Sequence, residues 1–418
     1  MACYVLGSLV MTALFSVEFQ PREARIIKLG VGITMLSFLL TILAFFGVFK
    51  ALFVFPLLIG ILGIGWKSTL AFLQSTLLKP LTLSKNFNWI GFTSFFLTLI
   101  FISLVFLSNV RPVPYGFDAL AVYLNLPNLI SQNGSLVEGY SPYYWSIFIA
   151  LGNVIFGKLE IVIALSAGGG ILSLFAIYEI SRKWIDTNFS LAIVAIFYSL
   201  PIINYQSFRD IKTDLGLLFI LLTAFLVLIK WISAKENADK TKKEITTNGE
   251  EVGATKGLLS TVLSESEQLA VILGILSGMA IGIKLTGLIF ILAVLAVFSY
   301  QKGGIIGFFA NFALTIFVVL IGGLDTSLRA YHFGTDALQW IMGFIGLVAL
   351  GYVGYKQKDQ LVSLIKISAI YLFLVGIVYA PWPVKNYQET GELGINTLIE
   401  GKPIGIPEIY PNRRKPKK

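Results

Sequence analysis

Long apolar runs dominate this chain, and they recur from one end to the other with only short polar stretches between them. A run of about 20 apolar residues is the length a helix needs to cross the hydrocarbon core of a bilayer. Roughly twelve segments approach that length. They lie at Cys3–Val17, Gly30–Phe49, Ala51–Trp66, Ile90–Val110, Leu159–Ile180, Phe189–Ile203, Leu215–Ile232, Leu269–Ile283, Leu285–Tyr300, Ile305–Gly323, Ala337–Tyr355 and Leu361–Ala380. The expected fold is therefore all-α, a polytopic membrane bundle of about 12 transmembrane helices. The apolar stretch Trp145–Gly157 is too short to span and reads as an interfacial or re-entrant helix against the bundle. The first segment is short, lacks a basic start and a clear cleavage site, and reads as a retained helix rather than a signal peptide.

Composition excludes the soluble alternatives. With 56% hydrophobic and only 13% charged residues, 418 residues cannot clothe two or three water-soluble domains. The net charge of +9 does not point to nucleic acid, because the basic residues fall between the apolar runs. One cysteine, Cys3, rules out a disulfide framework and a Cys-rich zinc site; one histidine, His332, rules out any site that needs two. Chemistry here has to rest on carboxylates, Lys, Arg and hydroxyls.

Lys and Arg in the loops set the expected orientation. One alternate set of loops carries Arg22, Arg25 and Lys28, then Lys67, Lys79 and Lys85, Arg182 and Lys183, the Lys-rich stretch from Lys230 to Lys256, and Lys302, Lys356 and Lys358. The other set carries far fewer: Lys50, Arg111, Lys158, Arg209, Lys212, Lys284 and Arg329. The richer set is assigned to the cytoplasm, which places both termini outside. Ala234–Gln268 contains KENADKTKKEITTNGEE and reads as a flexible cytoplasmic loop. The expected division is residues 1–88 as N-terminal helices, 89–391 as a core, and 392–418 as an extracytoplasmic tail.

Four places on the outer side hold the informative charges. In the first outer loop, Asp118 precedes Leu120, Tyr123, Leu124 and Pro127, a pattern for a short helix along the membrane surface. Asp118 would cap its free N–H groups, or act chemically. Asn133-Gly134-Ser135 is a glycosylation pattern, but one common by chance, and Asn-Gly reads more readily as a turn. In NYQSFRDIKTD, Arg209, Asp210, Lys212 and Asp214 fall together, and Asp214 opens an apolar helix at membrane depth, where an ionisable group is costly. Lys284 stands alone between two apolar runs. It either snorkels to the interface or holds an anionic phosphate, with Gly282 and Gly287 leaving room beside it. Beyond the last helix, Pro381 and Pro383 end the helix, Trp382 suits an interfacial belt, and Lys385 and Asn386 are expected to face the outer interface. The glycine run from Ala167 to Gly170 marks either a helix break or close helix packing.

Together these motifs resemble the C-type glycosyltransferase superfamily, the branch related to protein mannosyltransferases, aminoarabinose transferases and rhizobial lipopolysaccharide sugar transferases. GFDALAVYLNLP (Gly116–Pro127), FRDIKTDLGLLF (Phe208–Phe219), GMAIGIKLTG (Gly278–Gly287) and PWPVKN (Pro381–Asn386) with Thr390 and Gly391 carry the likeness, over about Ile90–Gly391. The resemblance implies a membrane enzyme that moves a sugar from a polyprenyl-phosphate carrier to a lipid, glycan or protein acceptor at the extracytoplasmic face. It implies Asp118 as catalytic base, Asp214 and Asp210 as acceptor- or metal-positioning groups, and Lys284, Arg209, Lys212 and Lys385 as donor-phosphate ligands. A divalent cation, Mg or Mn, held by Asp118 and Asp214 stays open. A secondary transporter, a lipid-polysaccharide polymerase or ligase, and an inactive scaffold of the same fold are the rival readings. The orientation has a direct test: in intact cells a cysteine at Lys242→Cys is expected to resist an impermeant maleimide, and labelling there would invert the topology.

Overall fold

The computed structural model describes residues 1–74, 88–109, 122–137, 142–208, 212–244, 257–320 and 336–391. Among them the chain is helical without strands. Eight helices are long and apolar enough to cross a membrane, or up to ten if each of two bent pairs is one span. The molecule is a multi-pass helical bundle made of two compact units.

The first unit holds α1 (Ala2–Leu14), α2 (Pro21–Phe45), α3 (Ala51–Ile64), α4 (Trp66–Leu73), α5 (Trp89–Asn109), α6 (Asn125–Asn133), α7 (Tyr144–Ile149), α8 (Leu151–Phe156), α9 (Leu159–Ser181), α10 (Thr187–Ser199), α11 (Pro201–Phe208), α12 (Asp214–Glu244) and α13 (Glu265–Ile283). Its two ends are chemically distinct. At the end where α2 begins, Lys183 pairs with Glu23, Lys230 with Glu265 at 3.6 Å, and the Ser16 N–H donates to Gln268 at 2.9 Å. At the opposite end the Phe49 N–H donates to Gly134 and the Leu136 N–H to Ala44, so α6 lies there. Helices α2 and α13 thus run from the first end to the second, and α9 and α12 run back.

Helix-to-helix contact in this unit depends on missing side chains. A Cβ on Gly169 of α9 would come within 2.8 Å of the Gly216 nitrogen on α12, and a Cβ on Gly216 within 2.2 Å of the Trp145 ring. Helix α9 runs unbroken through Gly168–Gly170, so the glycine run is a packing surface and not a break. The short helix α7 is buried along its whole length, packed on α2, α9 and α13. The expected interfacial or re-entrant helix thus falls into two pieces, α7 buried throughout and α8 buried only at Leu151 and Gly152.

Several expectations need correction. Among the described residues the count of twelve is not reached, because α1 is short and two expected spans are bent. Helix α3 meets α4 at 82° around Gly65, and α10 meets α11 at 66° where Leu200 precedes Pro201. Proline disfavours helical geometry in the residue before it, and Leu200 is extended, with ψ 131°. The expected loop Ala234–Gln268 is narrower than read. Helix α12 continues to Glu244, since Lys, Glu and Ala are strong helix formers, and α13 starts at Glu265 under a capping box of Ser264 and Glu267. In the first outer loop the expected helix start near Asp118 lies outside the described residues; the described helix α6 buries Leu126, Pro127 and Ile130.

The second unit holds α14 (Leu288–Val319), α15 (Asp336–Lys356), α16 (Lys358–Tyr379) and α17 (Pro381–Thr390). Gly304 in α14 has φ 61° and ψ −154°. A Cβ on Gly307 would meet the Ser299 carbonyl at 2.4 Å, so the chain doubles back there and keeps the two expected segments apart. Phe298 meets Tyr371 edge to face, joining α14 to α16. Pro381 and Pro383 close α16 as expected, but Pro381 then opens α17 at its first position, where its missing N–H costs nothing.

The glycine contact generates a paired test. Gly169→Ala forces its new methyl into the α12 backbone and is expected to cost about 1–3 kcal/mol. Gly168→Ala meets nothing within 4 Å and is expected to be neutral or stabilising. Thermal unfolding of the purified chain in detergent measures both; equal midpoints would refute the close α9–α12 contact.

Candidate functional site

The charged residues of the second and third outer motifs meet. Lys284 Nζ donates to Asp214 Oδ1 at 2.7 Å, across 70 positions of sequence. Asp214 is the first residue of α12, where four N–H groups have no partner within the helix and the macrodipole favours an anion. Lys284 follows the last residue of α13, the end that favours a cation. Its backbone is extended, with φ −157° and ψ 138°, while its N–H still donates to Ala280. A 3₁₀ turn, Leu285–Gly287, follows at once. The extended residue between helix and turn aims the side chain at α12.

Gly287 does not leave room for a ligand. A Cβ there would lie 2.5 Å from the Ala280 carbonyl carbon, so its missing side chain admits the α13 backbone. Lys284 does not snorkel alone either, because its ammonium is already paired. The pair stays reachable: the Lys284 side chain is 39% exposed and that of Asp214 29%. An ammonium has three donors, and Asp214 takes one.

Behind the pair lies a residue pair that the sequence reading passed over. Trp145 packs on Gly216, two positions from Asp214, and is fully buried. Its Nε1 and the neighbouring Ser146 Oγ have no hydrogen-bond partner among the described residues. Such an unmet buried donor costs about 1–3 kcal/mol. A Trp-Ser dipeptide in an apolar stretch gives no sequence signal for this.

The other expected site residues separate. Asp118, with the helix start expected there, Arg209, Asp210 and His332 lie outside the described residues. Lys212 is described and half-buried, two positions before Asp214. Lys385 belongs to the second unit and is 3% exposed, with Asn386 at 6% and Trp382 at 0%. The expectation that Lys385 and Asn386 face an interface is therefore corrected: Lys385 Nζ bonds Glu389 Oε1 at 2.6 Å, one turn along α17. Trp382 is core and not belt. As for a cation, no three His, Cys, Asp or Glu side chains gather among the described residues, and Asp118, the carboxylate expected beside Asp214, lies outside them.

No family model, no curated protein and no solved structure matches this chain. Function has to be argued from the site itself. Its first measurable property is coupling. In a double-mutant cycle of Asp214→Asn and Lys284→Gln, half-exposed partners are expected to give a coupling of about 0.5 kcal/mol and no more than about 1. Zero coupling in thermal unfolding would show that the two side chains do not meet in solution.

Proposed function

We propose that the chain is a membrane glycosyltransferase that moves a sugar from a polyprenyl-phosphate carrier to a lipid, glycan or protein acceptor at the extracytoplasmic face of the cell membrane. One observation carries this reading: two motifs of the resemblance, 70 positions apart, join through the Asp214–Lys284 pair at the end of the first unit opposite the Lys- and Arg-rich one. That end is the outer one in this reading, and α6 lies along the membrane surface there.

The chemistry follows from these groups. Lys284 turns its free N–H donors to the donor phosphate, which competes with Asp214 for the ammonium. Asp214, released in part, orients the acceptor hydroxyl. Asp118 takes the hydroxyl proton as the acceptor oxygen forms its bond to the anomeric carbon, while the bond from that carbon to the phosphate oxygen breaks. Negative charge grows on the leaving polyprenyl phosphate, and Lys284, with Lys212 and Arg209 from the neighbouring motif, stabilises it. A phosphate is a good enough leaving group that no second acid is required. A divalent cation is not part of this scheme.

A transporter is the second reading, favoured by the two bent pairs, α3–α4 and α10–α11, since broken helices line many transporter sites. Against it, the exposed ion pair sits at helix ends and not at mid-helix.

The test is transfer of labelled sugar from synthetic polyprenyl-phosphate donors by the purified chain. Asp118→Asn is expected to lower turnover about 10²-fold or more. Lys284→Gln is expected to raise KM for the donor and lower kcat, while Lys284→Arg retains part of the activity. Wild-type kinetics in Lys284→Gln would remove it from the site, and movement of an intact solute without transfer would select the transporter.

A further inference from the structure

A cavity of about 640 Å³ in the first unit opens at the end opposite the Asp214–Lys284 pair. It lies where α2 begins and α9 and α12 end. Gln20, Arg22 and Glu23 line it from α2 and its cap, Glu179, Arg182, Lys183 and Trp184 from α9 and the residues after it, and Ser233 from α12. The distribution of charge is uneven in depth. Glu23 and Glu179 are buried, 4% and 8% exposed, and form the floor. The Arg22 side chain is 60% exposed, and Arg182 is exposed beside it, its guanidinium over the Tyr178 ring at 5.7 Å.

The floor uses up part of the positive charge. Lys183 bonds Glu23 directly. Arg22 reaches Glu179 only at 4.0 Å, the outer limit of an ion pair, so most of its donor fork is unspent. Three cations against two carboxylates leave one positive charge, and it sits at the mouth. Helix α2 adds a second source of attraction. Its N-cap, Gln20, makes no side-chain cap, so the first-turn N–H groups have no capping side chain where Gln20, Arg22 and Glu23 line the cavity. Trp184, 66% exposed at the rim, is the side chain that seeks the headgroup level of a bilayer.

We propose that this cavity binds a phosphodiester or phosphate anion at its mouth, between Arg22, Arg182 and the start of α2, the anion being the headgroup of a phospholipid in the leaflet that faces this end. One negative charge matches the one uncompensated cation. The guanidinium forks suit phosphate oxygens, and the tryptophan places the mouth at the depth of the headgroup. The buried carboxylates keep the anion out of the floor, so an acyl chain leaves along the lipid-facing side and the headgroup stays at the rim. Basic pockets of this kind between helices hold anionic lipids in membrane proteins. This site is independent of the transfer reaction and of which end faces the cytoplasm.

The test uses the full chain in phosphatidylcholine nanodiscs, with and without phosphatidylglycerol, and native mass spectrometry to count retained lipid. Wild type is expected to retain phosphatidylglycerol, and Arg22→Gln with Arg182→Gln to lose retention about tenfold or more. Arg182→Gln alone, at an exposed position, is expected to show part of the loss with unchanged thermal unfolding in pure phosphatidylcholine. Arg182→Lys is expected to restore only part. Lys356→Gln, a basic residue on another helix, serves as control. A parallel arm titrates inorganic phosphate in pure phosphatidylcholine. Arginine-dependent phosphate binding without phosphatidylglycerol preference would overturn the lipid assignment in favour of a free phosphate. Retention and phosphate binding that are equal in wild type and the arginine variants would overturn the site altogether.

Discussion

The contact at Gly216 sets the position of everything at the far end of the first unit. Helix α12 is approached there from one side by the α9 backbone at Gly169 and from the other by the Trp145 ring. In lipid there is no hydrophobic gain from helix association, so close backbone approach has to supply the attraction through dispersion contacts. Two glycines and one indole supply it, and they fix the depth and rotation of the start of α12. Asp214 stands two residues before that contact. Its distance to Lys284 therefore follows from packing in the bundle and does not depend on either charged side chain alone.

Charge then finishes what packing begins. The ion pairs of the first unit join helix end to helix end: Lys183 to Glu23, Lys230 to Glu265, Lys284 to Asp214. At Asp214 and Lys284 the signs agree with both helix dipoles, an acid at a helix start and a base past a helix end. That agreement lowers the cost of placing charge at membrane depth. It also means that the pair is already satisfied without a ligand. A phosphate has to offer Lys284 more than the carboxylate does, and it can, because it brings a full charge and several acceptor oxygens to donors that Asp214 leaves unused.

The all-helical class was readable because apolar length is a one-dimensional property. The spans Pro21–Phe45, Leu159–Ser181 and Lys358–Tyr379 follow directly from it. Bends are less readable: the expected span Phe189–Ile203 runs straight through the break at Pro201, and the break at Gly65 has only a glycine inside an apolar run to mark it. The continuation of α12 to Glu244 was hidden by polarity, which argues against a membrane and says little against a helix. Asp214 and Lys284 stood out singly because an isolated charge in an apolar context is rare. That they touch is a property of the α12–α13 packing, which no spacing in the sequence encodes. Lys385 misled for the opposite reason. A cation after a proline-terminated helix reads as exposed, but Pro381 also starts α17 and turns Lys385 onto Glu389.

The two ends of the first unit pose different physical problems and solve them differently. At the Asp214–Lys284 end one acid and one base neutralise each other in partial exposure, so a ligand there must exchange with an existing partner. At the Arg22–Arg182 end the carboxylates are deep and the guanidiniums shallow, so an anion can add without displacing anything. Exchange suits a turnover site, where the group that is displaced becomes available to act on a second substrate and the product must leave. Addition suits a resident lipid that stays bound. If both proposals hold, the same inventory of Asp, Glu, Lys and Arg at helix ends serves opposite residence times, and the difference lies in the depth at which each sign is buried.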